Sequence, residues 1–448
     1  MSKILVVWPP HVPGYFNAGH HTPLFEVAEY LRRRPGVERV DALDGGALNV
    51  NWKDLGATLY QGRYDVIAMM NDYDAVDGFE RFLSYARELS PGAKVITFGR
   101  LSAQNPGHFL RYDLDAVVRS GDVECGVGDY VEAVLAGEPE RPLPGVQVRT
   151  ADGWTAPTAP GRTLEPDEWA LPDVREIPYE AYERLYARDD RKFCGIPFRR
   201  ELVVPIARGC PVGCSYCDVH EIFGLRERRL GVDAVLEYIA AAREAEPSFE
   251  YVSFYAPTFT LNRPWTRELC RRLLEQPDRL PWKCTTTVPH LDEKMVQLMG
   301  AAGCVRISVG LETLDEDGHG SLPRSKRVHQ DRFESLARWC ADAGIELNAF
   351  VMVGLPGTSP EGTAATVAFA RSLDVRVRPT LYTPLHDLRP TMTTAEVSRY
   401  NRHTLTTPTP PELAEQHYSH IFGPESRLTR VQERIPRAAA PVPAPAST

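Results

Sequence analysis

A chain of 448 residues with a formal net charge of −9 is longer than one ordinary hydrophobic core supports, so two domains plus connecting or terminal segments are expected. Its composition, 43% hydrophobic and 25% charged, is that of a globular protein and excludes overall disorder. The acidic balance argues against a nucleic-acid surface, which needs basic patches to displace counterions, although Arg226, Arg228 and Arg229 form a local anion-site candidate. The start, MSKILVVWPP, has one lysine and a short apolar run stopped by Pro9 and Pro10. Neither a signal peptide nor a membrane span is expected there, and a cytoplasmic location follows.

In chain order, Lys3 to Trp8 reads as a buried parallel strand and Leu24 to Leu31 as a helix. Further strands are expected at Arg39 to Ala42, Val66 to Met70, Lys94 to Phe98 and Ala116 to Arg119, with helices near Phe79 to Leu89 and Tyr130 to Leu135. This alternation predicts a Rossmann-like, doubly wound α/β domain over residues 1–140. Pro and Gly then become frequent, and residues 141–195 read as a linker with a small hairpin.

A second series begins at Leu202. Its strands are Leu202 to Ala207, Tyr251 to Tyr255, Lys283 to Thr287, Val305 to Val309, Leu347 to Val353 and Arg378 to Tyr382. Val232, Val235, Leu236, Ile239 and Ala242 fall at helical spacing, as do Phe333, Leu336, Ala337 and Cys340. Six such repeats predict a partial (β/α)6 barrel over residues 196–388, with its site at the C-terminal strand ends. Residues 389–448 are weakly patterned, and the tail from Ala438 is expected to be disordered.

Nine cysteines without a secretory leader point to core packing and metal ligation rather than to disulfides. Six are scattered: Cys125, Cys194, Cys270, Cys284, Cys304 and Cys340. The other three, Cys210, Cys214 and Cys217, have the spacing C-x3-C-x2-C just after the first barrel strand. A compact loop of this kind can direct three thiolates at one [4Fe-4S] cluster and leave one iron open to a small-molecule chelator. A zinc site completed by His220 is the alternative, because zinc normally takes a fourth protein ligand.

The motif, with the aromatic Tyr216 before its last cysteine, resembles the signature of the radical S-adenosylmethionine (SAM) superfamily. The resemblance implies that the amino and carboxylate groups of SAM chelate the open iron and that one electron breaks the sulfonium C–S bond. The segment Ser308-Val309-Gly310-Leu311-Glu312 resembles the strand end that touches the ribose or methionyl part of SAM, against a solvent-facing Glu312 as the alternative. Met352-Val353-Gly354-Leu355-Pro356-Gly357 is similar to the G-x-P-G stretch that packs near adenine, with Thr358 in place of the usual acid. The second strand lacks the acid common in relatives, and no general base is visible. Tyr255 at its end is the candidate catalytic residue lining the substrate pocket, with a plain core tyrosine as the alternative.

The N-terminal stretches Ile4 to Pro10, Tyr64 to Ala68, Lys94 to Gly99 and Asp115 to Glu124 resemble, in their order, the cobalamin-binding domains fused to radical SAM barrels. The resemblance implies that Asn71-Asp72-Tyr73 lies near the lower cobalt face, that Gly99 and Gly121 permit close approach, and that Arg100 and Ser102 meet corrin amides or the nucleotide tail. The D-x-H-x-x-G motif is absent, since no histidine lies between His21 and His108. The lower cobalt ligand is then water, a side chain from Asn71 to Tyr73, or none. A domain that has lost its cofactor and serves as a lid is the competing reading.

Together these features imply a cobalamin-dependent radical SAM methyltransferase. Its expected substrate is a small molecule of secondary metabolism, such as antibiotic biosynthesis, methylated at an unactivated carbon. Two SAM molecules would be used, one to remethylate cobalamin and one to yield the 5′-deoxyadenosyl radical, with flavodoxin or ferredoxin as reductant. A cyclase or rearrangement enzyme would use the same parts. An RNA methylthiotransferase would need a second cysteine set, where only Cys125 occurs, and a sensor would need a DNA-binding module, which is not visible. The substrate and the oligomeric state are not legible.

Overall fold

The computed structural model describes residues 2–11, 22–186, 194, 196, 200–400 and 404–423, and the tail expected to be disordered lies outside them. The N-terminal part runs β1 (Ser2–Trp8), α1 (Thr22–Arg32), β2 (Val37–Asp44), α2 (Trp52–Gly62), β3 (Val66–Asn71) and α3 (Phe79–Leu89). It continues with β4 (Lys94–Gly99), the short helices α4 (Arg100–Gln104) and α5 (Pro106–Phe109), β5 (Ala116–Val118) and α6 (Val123–Leu135). Five strands are parallel in the order β2-β1-β3-β4-β5, which makes the doubly wound sheet expected from the sequence. β1, β3 and β4 are buried almost throughout, because helices cover both faces of the sheet. α2 escapes the periodicity reading; its signal is Asn51, which caps the helix by accepting from the Asp54 N–H at 2.9 Å.

The stretch read as a linker carries the small hairpin expected of it, and that hairpin extends this sheet. β6 (Val146–Thr150) pairs antiparallel with β5, and β7 (Gly153–Trp154) pairs antiparallel with β6. Leu164, Trp169, Val174, Ile177 and Tyr182 are then buried in one apolar core that runs from the α1/α6 face of the sheet into the second domain. The stretch closes with α7 (Tyr179–Tyr186).

The second domain opens with β8 (Glu201–Pro205), β9 (Ala207–Arg208), α8 (Val219–Phe223) and β10 (Arg228–Arg229). There follow α9 (Val232–Ala245), β11 (Tyr251–Tyr255), α10 (Arg263–Leu274), β12 (Trp282–Thr287) and α11 (Glu293–Ala301). The series ends with β13 (Cys304–Glu312), α12 (Gln330–Asp342), β14 (Glu346–Val353), α13 (Pro360–Ser372) and β15 (Arg376–Leu381). Its six-stranded sheet has the order β15-β14-β13-β12-β11-β8, every neighbouring pair parallel. β8 and β15 stand at opposite edges of that order, so the barrel is partial, as expected. The chain is therefore α/β in both parts.

Beyond the barrel, where weak patterning predicts no element, the structure has α14 (Thr394–Ser398) and α15 (Pro411–Phe422). Leu385, Val397 and Tyr400 are buried in a second apolar core, on the α2/α3 face of the first sheet. Asn105 donates to the Arg389 carbonyl at 3.0 Å and Arg111 to the Met392 carbonyl at 2.9 Å. The chain thus finishes the barrel and returns to its first domain. Among the described residues no helix is long and apolar enough to cross a membrane.

Candidate active site

The loop carrying Cys210, Cys214 and Cys217 is closed at its base by the antiparallel pairing of β9 with β10. The Cys210 N–H donates to the Gly224 carbonyl at 3.1 Å, and the Cys217 N–H to the Cys214 carbonyl at 3.0 Å. Gly209 turns the chain into this loop at φ +83°, and a Cβ there would lie 2.2 Å from the Arg226 carbonyl oxygen. None of the nine cysteines is in a disulfide. Burial pushes the thiols of Cys125, Cys270 and Cys340 up to about 12, the condition of inert core cysteines.

Tyr216, Glu312 and Lys326 gather around the loop. Lys326 pairs with Glu312 at 3.3 Å, with both side chains largely buried. Burial alone would lower the Lys326 amine, but the charges of Glu312, Cys214 and Cys217 hold it above its ordinary value. Burial raises the Cys214 thiol, opposed by Lys326 and the Tyr216 hydroxyl. The pocket thus offers compensation for thiolate charge, which fits an iron–sulfur cluster. Among the described residues no three His, Cys, Asp or Glu side chains converge closely enough for a single metal ion. The thiolates of a cubane each meet a different iron, so they need not converge as the ligands of one zinc do.

Glu312 sits at an irregularity in the β13–β14 register, at φ +57°, and its carboxylate folds over Gly310. A non-glycine residue held in this backbone region marks a constrained position, here one whose charge acts on Cys214 and Tyr216 of the cysteine loop. Ser308 lies on the concave face of the barrel sheet and accepts from the Asn348 side chain at 3.3 Å. Thr285 pairs with Ser308 across β12–β13, and Phe350 with Arg378 across β14–β15. These four residues are exposed or half-buried in a sheet whose other face is packed by helices, so the inner face of the barrel presents Thr285, Ser308 and Arg378 beside Phe350. Tyr255, 37% exposed, stands at the end of β11 beside it. Gly354 and Leu355 follow β14 directly, and Leu355, Met352 and Leu322 form a small apolar group with Tyr216 of the cysteine loop and Tyr382.

In the N-terminal domain the sequence candidates collect at the C-terminal strand ends, where open α/β sheets bind ligands. Several are engaged within the protein. Both polar atoms of the Asn71 side chain are used, one donating to Thr97 Oγ1 at 2.8 Å and one accepting from the Ser102 N–H at 2.9 Å. The Ser102 hydroxyl donates to the Gly99 carbonyl at 3.2 Å. The two glycines have a reason other than ligand approach: a Cβ on Gly99 would meet the Asn71 carbonyl at 2.0 Å, and one on Gly121 would meet Gly161 at 2.5 Å. Tyr73 is buried under the Arg100 guanidinium, 5.4 Å from its ring centre. Around these ends Trp8 Nε1, Thr22 Oγ1 and Gln104 Nε2 are buried without a hydrogen-bond partner. Such orphaned groups fit a large ligand bearing many amides, as a corrin does.

Ion pairs that sequence reasoning misses join the two halves. Arg208, two residues before Cys210, is buried against Glu124 at 2.6 Å, Glu26 at 3.1 Å and Asp122 at 3.2 Å, and stacks on Trp169. Arg228 meets Asp122 at 2.6 Å. Arg100 bridges Asp72 at 3.3 Å and Asp218, which follows Cys217, at 2.6 Å. The expected basic anion site is therefore corrected, because Arg226, Arg228 and Arg229 are committed to Glu165, Asp122 and Glu227. Arg226 with Glu165, Arg228 with Asp122 and Arg100 with Asp218 span 61, 106 and 118 residues of sequence, and no local pattern announces them.

Residues 204–370 match the family model described as the Radical SAM superfamily. An uncharacterised methyltransferase of Pyrococcus horikoshii is 25% identical over 388 residues, covering 84% of this chain and 79% of that protein. The anaerobic magnesium-protoporphyrin IX monomethyl ester cyclase of Rubrivivax gelatinosus is 24% identical over 385 residues, 83% of this chain and 63% of the cyclase. Among solved structures, the radical SAM methyltransferase TsrM from Kitasatospora setae, with tryptophan and a SAM analogue bound, superposes with a TM-score of 0.67. The match has 19% identity and covers 86% of this chain and 75% of TsrM. OxsB with aqua-cobalamin and SAM bound gives 0.64 at 15% identity, covering 93% of this chain and 56% of OxsB. Both share the fold seen here.

Proposed function

We propose that this chain, which carries a radical SAM domain at residues 204–370, is a cobalamin-dependent radical SAM methyltransferase that acts on carbon of a small molecule. The observation that carries the reading is the bracketing of the cysteine loop by two ion pairs to the other domain, Arg208–Glu124 before it and Arg100–Asp218 after it. They hold the loop opposite the C-terminal strand ends of the N-terminal sheet, so a substrate at the barrel mouth would lie between the two sites. That is catalysis by placement.

Cys210, Cys214 and Cys217 would hold the [4Fe-4S] cluster, with Lys326 compensating charge; Tyr216, Ser308, Glu312 and Gly354 would bind SAM. The bound groups supply hydrogen abstraction and methyl donation. The chain's residues supply orientation: Tyr255, Thr285 and Arg378 line the barrel mouth for the substrate, and the N-terminal domain roofs it and excludes water. Asn71, Tyr73, Gly99, Arg100, Ser102 and Gly121 would shape the cobalamin surface, mainly by fixing the β3 and β4 turns. A secondary metabolite as substrate, a flavodoxin or ferredoxin as electron donor and a cytoplasmic setting complete the proposal. The likeness to the cyclase of Rubrivivax gelatinosus supports a second reading, ring closure without methyl transfer.

Anaerobic turnover of candidate substrates with cobalamin, a reductant and methyl-labelled SAM separates the two. Methylation at unactivated carbon gives labelled product with one S-adenosylhomocysteine and one 5′-deoxyadenosine. Converted but unlabelled product means cyclisation or rearrangement. A normal cluster EPR signal in Cys214→Ala protein would remove the cluster assignment itself.

A further inference from the structure

Arg100 opens α4 at the C-terminal end of β4, and its guanidinium lies between two buried carboxylates from different domains. Its Nε donates to Asp218 at 2.6 Å, and its Nη1 donates to Asp72, 3.3 Å from each carboxylate oxygen. Asp72 belongs to the turn after β3, where it also accepts from the Tyr73 N–H at 2.6 Å. Asp218 follows Cys217 directly and stands at the N-cap of α8, a place where an aspartate ordinarily accepts from the first turn of its own helix. It makes no such cap, and its carboxylate goes to Arg100 instead. α4 also packs on both α8 and β3, so elements as well as charges meet here. Arg208 ties the same loop to Glu26 of α1 and Glu124 of α6, whereas Arg100 ties it to the turns where the cobalamin candidates collect.

We propose that Arg100 is a positioning residue that makes cluster and cobalamin bind cooperatively, each tightening the site of the other through the Asp72–Arg100–Asp218 bridge. The inference rests on the proposed function and deepens it by linking its two cofactor sites. The physical cause is preorganisation. With Cys217 held by a cluster, the neighbouring Asp218 is fixed, Asp218 fixes Arg100, and Arg100 fixes the β3 turn, so that cobalamin meets a surface already ordered. In the cluster-free chain the loop rests on the β9–β10 pairing and on its own backbone bonds. Cobalamin must then order the bridge itself and binds more weakly. The coupling is reciprocal, because linkage requires the same factor in both directions.

The test uses the full-length chain in two forms, cluster-free and with a reconstituted cluster checked by iron analysis. Anaerobic equilibrium dialysis measures the dissociation constant of hydroxocobalamin for each form, without SAM or substrate. In wild type the cluster should tighten cobalamin binding by about tenfold. In Arg100→Gln, which keeps a long polar side chain and loses the charge, the two constants should come within about twofold of each other. Asp218→Asn breaks the bridge from the barrel side, where no contact with cobalamin is proposed, and should lose the coupling in the same way. Arg100→Lys should keep part of it. A merely structural part in shaping the cobalamin surface would weaken both constants alike and leave their ratio at the wild-type value. That unchanged ratio in Arg100→Gln and Asp218→Asn overturns the inference, as does equal affinity of the two wild-type forms. A chain that loads a full cluster and binds no hydroxocobalamin in either form overturns the cobalamin reading of the proposed function, and this inference with it.

Discussion

Arg208 and Arg228 share a buried site with Glu26, Asp122 and Glu124, so three carboxylates face two guanidiniums and one negative charge is in excess. The excess is borne by Glu26, whose carboxyl is pushed up from 4.5 to about 7, by burial first and by Glu124 and Asp122 against the pull of Arg208. The folded protein therefore keeps a proton that the unfolded chain gives up above 4.5. The stability linked to that proton is complete below 4.5 and is lost as pH rises through about 7. Glu26→Gln should accordingly be more stable than wild type at pH 8.5 by on the order of 2 kcal/mol, read as a higher melting temperature, and nearly as stable as wild type at pH 5. A difference independent of pH would refute the assignment of the proton. Removing the other partner has the opposite sign: Arg208→Met leaves buried carboxylates unpaired and should cost about 3–5 kcal/mol in a denaturant melt at neutral pH.

The cysteine loop is an element defined by its ends, since a two-residue antiparallel pairing closes it and a left-handed glycine opens it. Gly209→Ala puts a methyl against the Arg226 carbonyl and a side chain into an unfavourable backbone region. The expected cost is about 1–3 kcal/mol, borne by the loop. Anaerobic reconstitution should then give less than one cluster per chain by iron analysis, while far-ultraviolet circular dichroism stays that of wild type. Full iron loading would show that the loop does not depend on this turn.

At the scale of the molecule, the two domains are joined three times. A continuous apolar core runs through residues 164–182, charged pairs bracket the cysteine loop, and the segment after the barrel covers the α2/α3 face of the first sheet. Val397 is wholly buried in that last contact. Val397→Asp should lower stability by about 2–4 kcal/mol, read as a lower melting temperature. Because the segment belongs to the barrel's chain and the surface to the other domain, the loss should appear in one cooperative transition. Two separated transitions in wild type would contradict this account of the joint.

The parallel strands of both sheets are legible in the sequence because buried parallel strands are largely apolar, as Lys3 to Trp8 and Tyr251 to Tyr255 are, whereas the antiparallel β6 and β7 lie in a Pro- and Gly-rich stretch that reads as a linker. The cysteine loop is legible because C-x3-C-x2-C is local, and Glu312 because it ends such a run. Helices α2, α10, α11 and α13 are harder to see, although Asn51, Asn262, Asp292 and Ser359 announce them as side-chain caps. Lys326 beside the cysteines, the Glu26–Arg208 network and the reason for Gly121 have no local signature. Each joins residues far apart in the chain, and only the packing of one domain on the other decides which buried charge meets which partner.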